Sequence, residues 1–89
     1  MPKYVLWGDY CDDVVEKRAP YRQAHLDGLA EQKAAGILIT LGPTQDLQHV
    51  FGIYEADEVT VVRNLIESDP YWKHGIWTSY RLHEWIQAV

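Results

Sequence analysis

Eighty-nine residues that alternate two helix-forming stretches with four strand-forming runs, in the order β-α-β-β-α-β, have few ways to fold. The first run, Lys3 to Tyr10, carries the β-formers Tyr4, Val5, Leu6 and Trp7, and Gly8-Asp9 begins to close it. Residues 11 to 19 are charged and read as a loop or a short turn of helix. Pro20 suits the first turn of a helix, where its missing N–H is not needed, and that helix is expected to run from Pro20 to Ala35. Leu26, Leu29, Ala30 and Lys33 follow the 3–4 spacing of one buried stripe, with the Lys33 stem at its edge. Gly36 is placed to cap the C-terminus.

Ile37 to Leu41 is a short apolar second strand stopped by Gly42-Pro43, and Val50 to Tyr54 is a third, with a loose hairpin between them. Gly52 inside the third strand signals a bulge or a close backbone approach. Asp57 reads as the N-cap of a second helix, Glu58 to Ser68, whose inward stripe is Val59, Val62, Leu65 and Ile66. The residue before a proline avoids helical angles, so Asp69-Pro70 ends this helix. Tyr71 to His74 reads as a turn, and Ile76 to Ile86 as a long last strand.

With both crossovers right-handed, the order gives an α+β, ferredoxin-like fold: a four-stranded antiparallel sheet with two helices on one face. Residues 1–89 are then a single domain. The helices leave the other sheet face open, and a second copy of the chain is the obvious cover. A chain of this length buries only about 60–65% of the surface its unfolded form exposes. A homodimer through the open sheet face is therefore expected, sharing part of the aromatic surface of Trp7, Trp72, Trp77 and Trp85.

A net charge of −5 repels phosphate backbones and argues against a nucleic-acid partner. The third strand, Val50-Phe-Gly-Ile-Tyr54, also lacks the basic–aromatic pattern of RNA-binding sheets that share this topology. No apolar run approaches the roughly 20 residues that span a bilayer, and Met-Pro-Lys-Tyr-Val does not begin a signal peptide, so no membrane partner is expected. Cys11 stands alone and fits a reducing compartment, with the cytoplasm as default location. Its acidic neighbours Asp12 and Asp13 disfavour a thiolate there.

Chemistry rests on few side chains. His25 borders the apolar stripe of the first helix, and imidazole is the side chain best suited to move protons near neutrality. A histidine satisfied by a backbone carbonyl is the plainer alternative. Asp69 closes the second helix, where the macrodipole is unfavourable to an anion, so a turn or a cationic partner must hold it. If the two helices lie side by side, the carboxylate fixes the imidazole tautomer and raises its basicity. Arg18 and Arg22 are four apart, and a guanidinium beside such a pair can bind a carboxylate or phenolate; a surface salt bridge to Glu16 or Asp27 is the alternative. Gly42-Pro43 lets a backbone group face a ligand, or is a simple turn. His25, His49, His74 and His83 form no metal-binding motif, and no glycine-rich phosphate loop is present, so neither a metal nor a cofactor is expected.

Glu16-Lys17-Arg18, Arg22-x-x-His25-Leu26, Gly36-x-Leu38-x-x-x-Gly42-Pro43, Asp69-Pro70-Tyr71 and Gly75 together resemble the YCII-related (YciI-like) domain, in order and spacing over nearly the whole chain. The resemblance implies a ferredoxin-like domain that dimerises, akin to the dimeric α/β barrels. It further implies that His25 and Asp69 are an active-site pair and that Arg22, Gly42 and Pro43 line the same pocket. Chemistry in such proteins is cofactor-free, with a dehydrochlorinase of chlorinated hydroxyhydroquinones in one branch and muconolactone isomerases among the relations. The implied function is proton abstraction with elimination or isomerisation on a small cyclic or phenolic acid. The alternative is a non-catalytic small-molecule-binding or interaction domain. This chain departs from the pattern in a short Thr44–His49 segment and in an ending of Leu82-His-Glu-Trp85.

Overall fold

The computed structural model describes residues 1–89. Strands β1 (Lys3–Tyr10), β2 (Leu38–Pro43), β3 (His49–Glu55) and β4 (Trp77–Trp85) form one antiparallel sheet in the order β2-β3-β1-β4. The helices are α1 (Val14–Arg18), α2 (Arg22–Ala34), α3 (Val59–Ser68) and α4 (Pro70–Lys73), with a 3₁₀ turn at Ala19–Tyr21. The ferredoxin-like α+β fold expected from the segment order is the fold observed.

Strand alternation sorts the sheet into two faces. Tyr4, Leu6, Val50 and Tyr54 are buried with Val62 and Ile66 of α3, Tyr71 of α4, and Trp77. Their neighbours Val5, Trp7, Phe51 and Ile53 point the other way, with Trp7 opposite Phe51 and Val5 opposite Ile53. That second face stays partly open, and Trp7 and Phe51 are each 39% exposed.

Several local expectations are corrected. The first helix starts not with Pro20 but with Arg22; Pro20 sits in the 3₁₀ turn, and the charged stretch before it holds α1. The inward stripe of α2 is not Leu26, Ala30 and Lys33, which are exposed. It runs one position round, through Tyr21, His25, Leu29 and Gln32, and His25 is its one fully buried member. Glu58, not Asp57, is the N-cap of α3 and makes no side-chain cap. Gly42-Pro43 does not stop β2 but forms its last two residues. That is tolerable because β2 is an edge strand, where a missing N–H breaks no ladder. Gly52 is a close approach rather than a bulge: it pairs regularly with Leu6 and Leu41, and a Cβ there would lie 3.1 Å from the Leu41 side chain.

Two left-handed glycines set up the site. Gly36 (φ 79°) ends α2 and Gly75 (φ 70°) ends α4, each turning the chain at once into a strand. The following N–H groups reach back six-to-one, Ile37 to Gln32 O at 3.1 Å and Ile76 to Tyr71 O at 2.8 Å.

Candidate functional site

Asp69 resolves its own puzzle. It ends α3 in an extended conformation, as the residue before Pro70 must, and the same residue is the N-cap of α4. The expected Tyr71–His74 turn is in fact this one-turn helix. Asp69 Oδ1 accepts the Tyr71 N–H at 2.8 Å, so the carboxylate meets free N–H groups rather than only the negative end of α3. Asp69 also extends the inward stripe Val62-Ile66 by one turn, which carries it into the core at 5% exposure.

His25 comes to meet it from α2. Its Nδ1 lies 2.8 Å from Oδ1 and 2.9 Å from Oδ2 of Asp69, and the histidine is only 4% exposed. Tyr71 stacks flat on the imidazole (3.7 Å between centroids, 7° between planes), and Trp77 meets it edge-on at 5.3 Å. A carboxylate can only accept, so Nδ1 carries the proton and donates it. Nε2 has no hydrogen-bond partner within the chain and is not sealed off, and the imidazole lines a cavity.

That cavity measures about 90 Å³. Arg18, Arg22 and His25 supply its polar wall, Leu26, Leu29 and Leu41 an apolar one, and Tyr10 and Tyr71 two phenols. Gly42 and Pro43 close the edge. Gly42 is opposite Phe51 in the ladder, on the open sheet face, so it offers the cavity only backbone. His25, Arg22, Gly42 and Pro43 therefore surround one space, with Asp69 one step behind the imidazole. Neither Arg18 nor Arg22 has a carboxylate partner, so the surface salt bridges to Glu16 or Asp27 do not form.

Tyr10, Tyr71 and Trp77 were not readable as site residues. Tyr71 is placed by the Asp69 cap two residues before it. Trp77 is placed by a bulge: Asp9 pairs with Ser79 and Tyr10 with Trp77, so Thr78 is an extra residue in β4. The bulge turns Trp77 onto the helix-covered side, which Tyr10 shares by the plain alternation of Tyr4, Leu6 and Gly8. Burial pushes the Tyr71 phenol above its ordinary value, with Arg18 and Arg22 pulling against it. Burial likewise raises Tyr10, against the Trp77 indole and Arg18. The Trp77 Nε1–H leans toward that phenol without completing a hydrogen bond.

A second histidine–aspartate contact lies on the open sheet face. His49 Nδ1 is 2.7 Å from Asp9 Oδ1, Ser79 Oγ donates to Asp9 Oδ2 at 2.7 Å, and His49 stacks on Trp7. Half-exposed and without a cavity, it is a polar clasp across three strands.

Fold and site define a compact ferredoxin-like α+β domain with a buried histidine–aspartate contact beneath a small cavity. The chain belongs to the YCII-related domain family, whose model matches residues 2–86. Among solved structures it is similar to the 5-chloro-2-hydroxyhydroquinone dehydrochlorinase of Burkholderia phenoliruptrix AC1100, in complex with 2,5-dihydroxybenzoquinone. That likeness has a TM-score of 0.83 and 23% identity, over 97% of this chain and 95% of that one. An uncharacterised NIPSNAP domain protein from Burkholderia xenovorans shares the fold at TM-score 0.58 and 14% identity, over 99% of this chain and 95% of that one. An antibiotic biosynthesis monooxygenase does so at TM-score 0.59 and 10% identity, over 100% of this chain and 99% of that one. A comparison with curated proteins gives no match. No helix is long and apolar enough to cross a membrane.

Proposed function

We propose that the domain is a small cofactor-independent enzyme in which His25 moves a proton on a small cyclic or phenolic acid, oriented by Asp69. One observation carries the reading: the two Nδ1–carboxylate contacts at 2.8 and 2.9 Å hold the ring so that the other nitrogen meets a cavity. In the keto form of the ligand Nε2 takes a proton from a saturated ring carbon beside a carbonyl, and the electron pair passes into that carbonyl oxygen, held by Arg22. A leaving group then departs, or the proton returns at another carbon. The first outcome is elimination and the second isomerisation. The similar dehydrochlorinase gives the elimination branch a chemical precedent.

The working form is a homodimer whose second copy covers Val5, Trp7, Phe51 and Ile53 on the open sheet face. Such a reading suits a cytoplasmic enzyme with no nucleic-acid or membrane partner.

The test is turnover of chlorinated hydroxyhydroquinones, read as chloride release, together with deuterium uptake into unchlorinated ring acids in D₂O. His25→Gln keeps an N–H for Asp69 but has no base, and should lose activity at least roughly a hundredfold with an unchanged circular dichroism spectrum. Activity retained in that variant sinks the catalytic role. A second reading has its own support, since a flat stack on Tyr71 and 4% exposure also suit a structural histidine. In that case ligand binds, nothing turns over, and His25→Gln leaves affinity untouched.

A further inference from the structure

Arg18 and Arg22 belong to different helices, α1 and α2, and both line the cavity that His25 faces. The chain has only eight lysines and arginines against thirteen acidic residues, yet two of the eight converge here without a carboxylate partner. The acidic group beneath them is already occupied: Asp69 takes the His25 ring proton and the Tyr71 N–H. A guanidinium held at an apolar-walled cavity without a counter-ion is an anion site in waiting, and two of them make a site for two anionic oxygens. The walls limit what carries those oxygens. Leu26, Leu29 and Leu41 on one side and the phenols of Tyr10 and Tyr71 on the other leave about 90 Å³, the room for a single ring and not for a second one.

We infer that the ligand is a monocyclic compound bound with two ionised oxygens, one on Arg22 and the other on Arg18, and that Arg18 is the residue that selects such a dianion over a monoanion. The inference deepens the proposed function and rests on it for the identity of the pocket. Arg18 does not enter the proton transfer.

The experiment is isothermal titration of the full chain with 2,5-dihydroxy-1,4-benzoquinone, a dianion at neutral pH, and with the monoanion 2-hydroxy-1,4-benzoquinone. The wild type should bind the dianion roughly ten- to a hundredfold more tightly, the value of one charge-assisted contact. Arg18→Gln should remove that preference by weakening the dianion roughly tenfold or more beyond any loss for the monoanion, and Arg22→Gln should weaken both ligands to a similar degree. Arg18→Lys, which keeps the charge but loses the fork, guards against misfolding and should keep part of the preference. Equal affinity of the wild type for the two ligands, or a preference that survives Arg18→Gln, overturns the inference while the proposed pocket stands. If neither ligand binds the wild type, the pocket reading fails and the inference falls with it.

Discussion

Asp69→Asn is the substitution that best interrogates the site, because Asn keeps the cap of α4 and changes only what His25 sees. The amide oxygen replaces Oδ1 and goes on accepting the Tyr71 N–H at 2.8 Å. The amide NH₂ then stands where Oδ2 stood, 2.9 Å from His25 Nδ1. That N–H opposes the Nδ1 proton while the amide oxygen at the Oδ1 position still accepts it at 2.8 Å, so the hold on a single tautomer is lost and the Nε2-protonated ring, whose Nδ1 accepts from the amide, is expected to become populated beside the other. In that second tautomer the lone pair turns from the cavity to the core, and the base is weakened without a change in shape. Exchanging a charge-assisted hydrogen bond for a neutral one costs about 1–2 kcal/mol, against a total stability of roughly 4–13 kcal/mol for a chain of this length, so the variant stays folded. Asp69→Ala adds the lost cap, about 1 kcal/mol more, and leaves the buried imidazole without a partner. The assay needs no substrate: long-range ¹H–¹⁵N spectra of the neutral imidazole distinguish a protonated Nδ1 from a protonated Nε2. A wild-type ring protonated on Nε2, or an unchanged tautomer in Asp69→Asn, refutes the reasoning about how this carboxylate sets up the site.

Three further outcomes follow from the same coordinates. A Cβ on Gly8 would lie 3.0 Å from the Ser79 carbonyl and 3.0 Å from Val50, so Gly8→Ala should cost about 1–3 kcal/mol in urea unfolding. Trp7→Glu on the open sheet face should halve the mass seen by light scattering at micromolar concentration without altering the circular dichroism spectrum; a wild type that is already monomeric rejects the dimer. The Asp9 carboxyl is held below its ordinary value by the Ser79 hydroxyl first and by His49 next. A depressed folded value means its contribution is present above the unfolded value of about 4 and drains away as pH falls through the lower folded one. The urea midpoints of wild type and Ser79→Ala should therefore differ at pH 6 and draw together as pH falls through the carboxylate range, whereas parallel curves would show that the clasp does not couple to folding.

The segment order was legible because strand and helix periodicities differ and because Gly36 and Asp69-Pro70 punctuate them. The face of α2 was not. Reading apolar residues selected Leu26 and Ala30, whereas the helix turns Tyr21, His25, Leu29 and Gln32 inward. The apolar stripe misled because the centre of the interface is a polar group satisfied from another helix, and a satisfied histidine buries as readily as a leucine. In α3 nothing competes with the apolar pattern, and Val62 and Ile66 face inward as their spacing requires. The site was half visible for the same reason. His25 and Asp69 announce themselves by chemistry, while Trp77 reaches the site through an extra residue at Thr78, which no local signal marks.

The core and the candidate site share their parts, and this bears on how each can vary. Tyr71 is 2% exposed and packs in the core, yet its ring is the platform on which the imidazole lies and its N–H is the donor that fixes Asp69. Trp77 is as deeply buried and bounds both rings. Substituting either therefore changes folding and the imidazole together. The groups facing the other side of the cavity are attached differently: Arg18 is half-buried, Arg22 is exposed, and Leu41 and Pro43 sit on an edge strand. Changes there leave the Asp69–His25–Tyr71 stack intact. The half of the pocket that would move the proton is thus tied to stability, and the half that would hold ligand is tied to it only through Leu41, which packs against the core. Substrate preference can change in such a domain by altering α1, the start of α2 and the end of β2, without loosening the pair that would do the chemistry.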